Sequence, residues 1–150
     1  YGMLTLGLAM KTSGASSLIA EGLSIGVLSY APEEWRFFLL LAALYLTTAV
    51  LTEILSNTAT IVIMAPIALE LAQSIELTAS DARAFLVATC IAASASFTTP
   101  IGYQTNTYVY SVGGYRFRDF VKIGLPLNLL YFFSSVFLIG YFWGKHPFGA

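Results

Sequence analysis

The polar side chains best placed for chemistry gather in two stretches of an otherwise apolar sequence. The first is Thr52-Glu53-Ile54-Leu55-Ser56-Asn57-Thr58, inside the apolar run 51–68, with Pro66 a short way on. The second is Thr98-Thr99-Pro100-Ile101-Gly102-Tyr103-Gln104-Thr105-Asn106-Thr107. Each contains hydroxyls, an Asn-Thr pair and a proline. Ser, Thr and Asn offer neutral oxygens, and an interrupted helix adds free backbone carbonyls. Such cages suit a hard, singly charged cation such as Na⁺, whereas Mg²⁺ and Ca²⁺ normally recruit carboxylates. At the start of a helix the free N–H groups favour an anion. Thr58 and Ala59 are expected to open such a helix, with the Thr58 hydroxyl beside them. No Arg or Lys lies in either stretch, so an anion there would depend on helix dipoles, hydroxyls and a nearby cation. Interrupted helices of secondary transporters divide the work in this way, with carbonyl ends on the coupling ion and N-termini on the anion.

A plainer reading stands beside this one. Ser, Thr and Asn in membrane helices often only hydrogen-bond a neighbouring helix. Two clustered Asn-Thr pairs, each beside a helix break, weigh against packing alone. Glu53 has two readings of its own. An acid within a membrane is a functional candidate, here a proton or ion site, and it could equally cap unpaired backbone at the tip. Pro66 reads as a tolerated kink, and Gly102 as a source of φ freedom within the break.

Composition decides the solvent for these stretches. Of the 150 residues, 57% are hydrophobic and only 10% are charged, against about 25% charged in a typical soluble domain. Mean hydropathy is +0.77. A soluble chain this poor in charge could not coat its own surface, so the class is integral membrane protein. The net charge of −1 gives no basic surface for nucleic acid. The single cysteine, Cys90, excludes a disulfide framework or cysteine metal site, and the single histidine, His146, sits by the C-terminus as an interfacial residue. The chain opens at Tyr1 without an initiator Met or a signal n-region. That is expected of a piece of a longer membrane protein.

The elements that must position the two stretches follow from apolar runs of membrane length. Residues 1–30 read as a broken or interfacial helix, interrupted at Lys11-Thr12-Ser13-Gly14. After Pro32, residues 35–73 form two apolar arms with Ser56-Asn57-Thr58 at the tip. Residues 81–113 form a discontinuous helix, rich in Ala and Ser before its break at 97–106. Residues 116–144 carry the last transmembrane helix. Its aromatics Tyr131, Phe132, Phe133, Tyr141, Phe142 and Trp143 are expected at lipid or in the interfacial belt. Arg116, Arg118 and Lys122 mark the preceding loop as cytoplasmic. The turns 33–36 and 74–83 hold Glu33, Glu34, Glu76 and Asp81 against two basic residues, so both belong outside. Arms that enter and leave on one face make a re-entrant hairpin, with its tip inside the membrane.

The stretch TEILSNTATIVIMAPIA, with TTPIGYQTN some forty residues later, resembles the second repeat of the divalent anion/sodium symporter family (solute carrier family 13, ion transporter superfamily). Its IGYQTN version is most similar to bacterial permeases that carry cytosolic regulator-of-potassium-conductance C-domains. The resemblance runs from LAMKTSGA to the last span. It implies one inverted repeat of a secondary transporter: an all-α membrane protein with transmembrane helices, a re-entrant helical hairpin and a discontinuous helix. By the same resemblance Thr52, Ser56, Asn57 and the carbonyl of Thr98 form a Na⁺ site. Asn57, Thr58, Thr99 and Pro100 meet the substrate, while Pro100, Gly102 and Asn106 shape the break. No cofactor is implied beyond Na⁺ as coupling ion. The implied partners are a small divalent anion (dicarboxylate, citrate or sulfate), the lipid bilayer, the first repeat and a second copy in a homodimer. The implied location is the bacterial inner membrane, multi-pass. The function expected is sodium-coupled anion transport by alternating access. Its rivals are a proton-coupled exporter or antiporter using Glu53, and a membrane subunit that does not transport. An enzyme is the weakest rival, because the only His is terminal and Glu53 stands alone.

Overall fold

The computed structural model describes residues 2–74 and 79–143. Expectations that rest on Glu76 and on the Lys145-His146 end lie outside these residues. Among the described residues seven helices follow one another: α1 (Gly2–Thr12), α2 (Ala15–Leu28), α3 (Glu33–Thr52), α4 (Asn57–Ser74), α5 (Ala79–Ser94), α6 (Gln104–Val112) and α7 (Phe117–Trp143). No strand occurs among the described residues, so the fold is all-α.

The local signals explain where these helices stop. Gly14, at φ 74, takes the left-handed conformation between α1 and α2 that a side chain resists. Pro32 precedes α3, whose first turn holds Glu33 and Glu34 against the positive helix end. Gly114, at φ 66, turns the chain into α7. There the Asp119 carboxylate accepts the Arg116 backbone N–H at 2.8 Å, a reciprocal cap on a helix start. Pro66 lies within α4 without ending it. It removes the hydrogen bond that the Val62 carbonyl would have received, and Gly7 of α1 lies against that carbonyl.

The core forms where α5 packs between α3 and α4. Ala84, Ala88 and Ala92 recur every fourth residue of α5 and are fully buried. Without side chains beyond Cβ on this stripe, the neighbouring helices approach closely, the main packing device in lipid. Leu40, Leu44 and Tyr45 of α3, and Ile67, Ala68 and Leu71 of α4, close around it. The hydroxyls of Thr48 and Thr89 are buried, and each donates to a carbonyl four residues back, so neither of these two hydroxyls is stranded. α7 packs on α3 and α5. Of the aromatics expected at lipid or in the belt, two turn inward. Phe132 packs edge-on against Tyr45 at 5.5 Å, and Trp143 packs against the core. By length and composition α3 and α7 can each cross a bilayer. The C-terminal end of α5 leads straight into the break at 95–103, and α6 continues beyond it with no buried residue.

Candidate functional site

The tip that joins α3 to α4 is four residues long, 53–56. Its first helix closes on itself, because the N–H groups of Ile54 and Leu55 both donate to the Leu51 carbonyl. Its second helix opens at Ser56, whose Oγ accepts the Ala59 N–H at 3.3 Å, and whose carbonyl accepts the Thr60 N–H. Ser56 is thus the N-cap that an exposed helix start calls for. The Ser56 and Thr58 side chains are exposed and Asn57 is half-buried. Among the described residues, no hydrogen bond joins Ser56 or Thr58 to the break.

Thr52, by contrast, is fully buried. Its Oγ1 lies 2.9 Å from Asn57 Oδ1 and also meets the Ala93 carbonyl at the end of α5. One hydroxyl carries one proton and donates to one acceptor at a time. If the Asn57 amide is turned over, it donates to Thr52 while Thr52 donates to Ala93, and both contacts hold together. Thr52, Asn57 and Ala93 therefore place three oxygen-bearing groups where the hairpin tip meets the end of α5.

Glu53 faces the break. Its Oε1 accepts the Thr98 N–H and its Oε2 the Thr99 N–H, each at 2.8 Å. The Thr99 hydroxyl donates to the Glu53 carbonyl at 3.0 Å and accepts the Gly102 N–H at 3.1 Å. Two successive backbone N–H groups converging on one anion form a nest, and here a side chain of the protein fills it. Asn106, from the first turn of α6, reaches back to donate to the carbonyls of Ser96 (2.8 Å) and Thr99 (3.2 Å). The Thr107 hydroxyl donates to the Pro100 carbonyl at 2.8 Å. Six backbone groups of the interrupted segment are thus satisfied by side chains, each of which would otherwise cost several kcal/mol at membrane depth.

Pro100 and Gly102 are buried within this knot. The expected φ freedom of Gly102 is not what the break uses, since its φ is not positive. Space is the reason instead. A Cβ there would come within 3.0 Å of Ser96 Cβ and 3.1 Å of Glu53 Oε2.

Two residues of α7 complete the site, and sequence reasoning passed over both in a span read only as apolar. Asn128 donates from Nδ2 to Glu53 Oε1 at 2.8 Å and to Thr98 Oγ1 at 2.6 Å. Gly124, one turn earlier, lets the α7 backbone touch the break. A Cβ there would overlap Phe97 O and lie 2.5 Å from the Phe97 carbonyl carbon and 2.7 Å from Thr98 Cα. A Gly four residues before an Asn, inside an apolar span, was the available signal. It puts a polar group and a close approach on one helix face. Beside this junction a cleft of about 320 Å³ runs between α3 and α7, walled by residues such as Leu46, Val50 and Leu129, with Glu53, Thr98 and Asn128 among its lining.

Residues 1–148 match the citrate transporter family, CitMHS. The chain belongs to this family. That membership agrees with the symporter resemblance of the two polar stretches. Among its relatives, the chain is 44% identical over 97% of its length to an uncharacterized transporter of Synechocystis. It is 35% identical over 92% of its length to the uncharacterized transporter YfbS of Escherichia coli. Across 67% of its length it is 38% identical to sodium/sulfate cotransporter 1 of Chlamydomonas reinhardtii. It spans 22%, 21% and 11% of those three proteins. The citrate transporter family and these relatives are transporters, not enzymes. Together with the long apolar helices α3 and α7, the family marks a membrane protein.

Proposed function

We propose that this chain is the C-terminal repeat of a sodium-coupled symporter for a small divalent anion, working by alternating access in a multi-pass bacterial inner-membrane protein. Sulfate is the first anion to test, because relatives in Chlamydomonas are named sodium/sulfate cotransporters. Dicarboxylates and citrate follow from the family. The observation that carries this reading is the contrast between the two polar stretches. The break satisfies its own backbone, whereas the tip beside it keeps Ser56 and Thr58 exposed and Asn57 half-buried.

In this reading Thr52, Ser56, Asn57 and the Thr98 carbonyl supply neutral oxygens to Na⁺. Asn57 and Thr58 at the start of α4 meet one end of the anion, where the helix dipole favours negative charge. Thr99 and Pro100 shape the floor of that subsite. The Thr99 hydroxyl is already committed to Glu53 and Gly102, so its contact with substrate is through the methyl group or backbone. Glu53 serves as the cap of the break. Three donors face its two oxygens, the surroundings of a carboxylate acting as acceptor.

The hairpin α3–α4 is re-entrant in this reading. Its tip is bonded to broken backbone that only the protein interior or a wet cavity can shelter. The first repeat supplies the other half of the ion and anion sites, and a second copy completes a homodimer.

The test is uptake of radiolabelled sulfate and succinate by the full-length parent in proteoliposomes, with and without a Na⁺ gradient, in wild type and Asn57→Ala. Na⁺-dependent uptake that is lost in the variant supports the reading. Uptake driven by a pH gradient and indifferent to Na⁺ overturns the coupling. Uptake that survives Asn57→Ala with unchanged Na⁺ dependence removes the tip from the ion site.

A further inference from the structure

We propose that Asn128 of α7 is a positioning residue for the coupling ion, acting through Glu53 to fix the direction of the Thr98 carbonyl. The inference rests on the sodium-coupled reading above and deepens it.

The argument begins with the planar peptide. All described peptide bonds are trans, so each N–H points opposite to the C=O of the preceding residue. The Thr99 N–H is held on Glu53 Oε2, and the Thr98 carbonyl of that same peptide therefore points away from Glu53. The Thr98 N–H is held on Oε1, which turns the Phe97 carbonyl away in the same manner, to where it meets Gly124. The carboxylate of Glu53 thus sets the orientation of two consecutive peptide planes.

Glu53 has three side-chain torsions and sits in a four-residue turn, so something must hold its carboxylate. Asn128 does. One N–H of its amide grips Oε1, and the other grips the Thr98 hydroxyl. A single planar group fixes both the clamp and the residue being clamped. Its own Oδ1 is buried without a hydrogen-bond partner among the described residues. A residue present only to fill space would not leave a buried acceptor unpaired, since an apolar side chain there would avoid that cost. The amide is accounted for by its two N–H groups. Gly124, at i−4 on the same helix face, lets α7 come close enough for so short a side chain to reach. A shift of α7 against the hairpin tip would therefore turn the Thr98 carbonyl, and the affinity for the cation would follow the position of α7.

The experiment uses the full-length parent in proteoliposomes. It measures initial sulfate uptake against Na⁺ concentration, with succinate in parallel, for wild type, Asn128→Ala, Asn128→Ser and Thr98→Val. Groups that orient ion ligands without touching the ion typically change affinity by roughly 10–100-fold when removed. Asn128→Ala is expected to raise the Na⁺ concentration for half-maximal uptake by about tenfold, with the maximal rate at saturating Na⁺ largely kept. Asn128→Ser, which keeps one donor, should shift less. Thr98→Val keeps the shape but loses the acceptor, and should shift the same way. These two variants decide the matter if Asn128→Ala does not reach the membrane. An unchanged half-maximal Na⁺ concentration with a lower maximal rate, in Asn128→Ala or in both gentler variants, means helix packing only and overturns this inference alone. Wild-type uptake indifferent to Na⁺ overturns it together with the functional reading.

Discussion

The hairpin tip and the helix break look alike in sequence and differ in what their polar atoms do. Each has hydroxyls, an Asn-Thr pair and a nearby proline. In the break these groups face inward on their own backbone. Asn106 holds two carbonyls, Thr107 holds a third, and Thr99 donates to Glu53 while accepting from Gly102. In the tip, Ser56 makes one long capping contact, Asn57 meets Thr52, and Thr58 is exposed. The same residue types therefore serve two purposes: holding unpaired backbone together in one place and offering free oxygens in the other. Polar residues near a broken helix are not all ligands. Those that repair the break have already committed their donors to its backbone.

The comparison predicts that substitutions in and around the break cost stability, while substitutions at the tip cost ligand response. The largest effect should come from Gly124→Val. Any Cβ there meets Phe97 backbone, which cannot swing aside as a flexible side chain would. Overpacking of this kind costs about 3 kcal/mol or more, and thermal unfolding of the purified parent protein in detergent should show it. A variant as stable as wild type would mean that α7 does not seat on the break.

Glu53→Gln comes next. The amide keeps one acceptor and turns an NH₂ toward an N–H donor or toward Asn128. Losing charged acceptors while stranding a buried donor costs roughly 2–4 kcal/mol, read in the same unfolding measurement. Full stability in this variant would break the claim that Glu53 caps the break.

Asn106→Ala leaves the Ser96 and Thr99 carbonyls without their donor, and should cost roughly 1–3 kcal/mol. Ser56→Ala should matter least to stability, at most about 1 kcal/mol, because its capping contact is long and exposed. The comparison sharpens if the order reverses for ligand response. Addition of Na⁺ with sulfate should raise the unfolding temperature of wild type by mass action. Ser56→Ala should reduce that rise more than its small cost in stability accounts for.

Much of this was legible in the sequence. Low charge and long apolar runs gave a helical membrane protein, since a chain must bury its backbone hydrogen bonds within helices when water is absent. The polar interruptions marked where α3 and α5 end, because hydroxyls, Asn, Pro and Gly change local backbone preferences within a few residues. The Ala-rich run 84–96 announced a close-packed helix, and α5 is the element at the centre of the core. Glu53 had two readings, and only its contacts show three donors converging on it.

Tertiary structure alone decided the rest. Asn128 lies 75 residues from Glu53 and 30 from Thr98, and nothing within its own helix reveals either partner. Gly124 resembles any glycine in an apolar span until the backbone of the break is set against it. Periodicity and turn chemistry act over a few residues, so the sequence by itself determined the helices and their interruptions. Which polar groups satisfy one another, and which stay free for a ligand, depends on distances between segments far apart in the chain, and packing alone sets those distances.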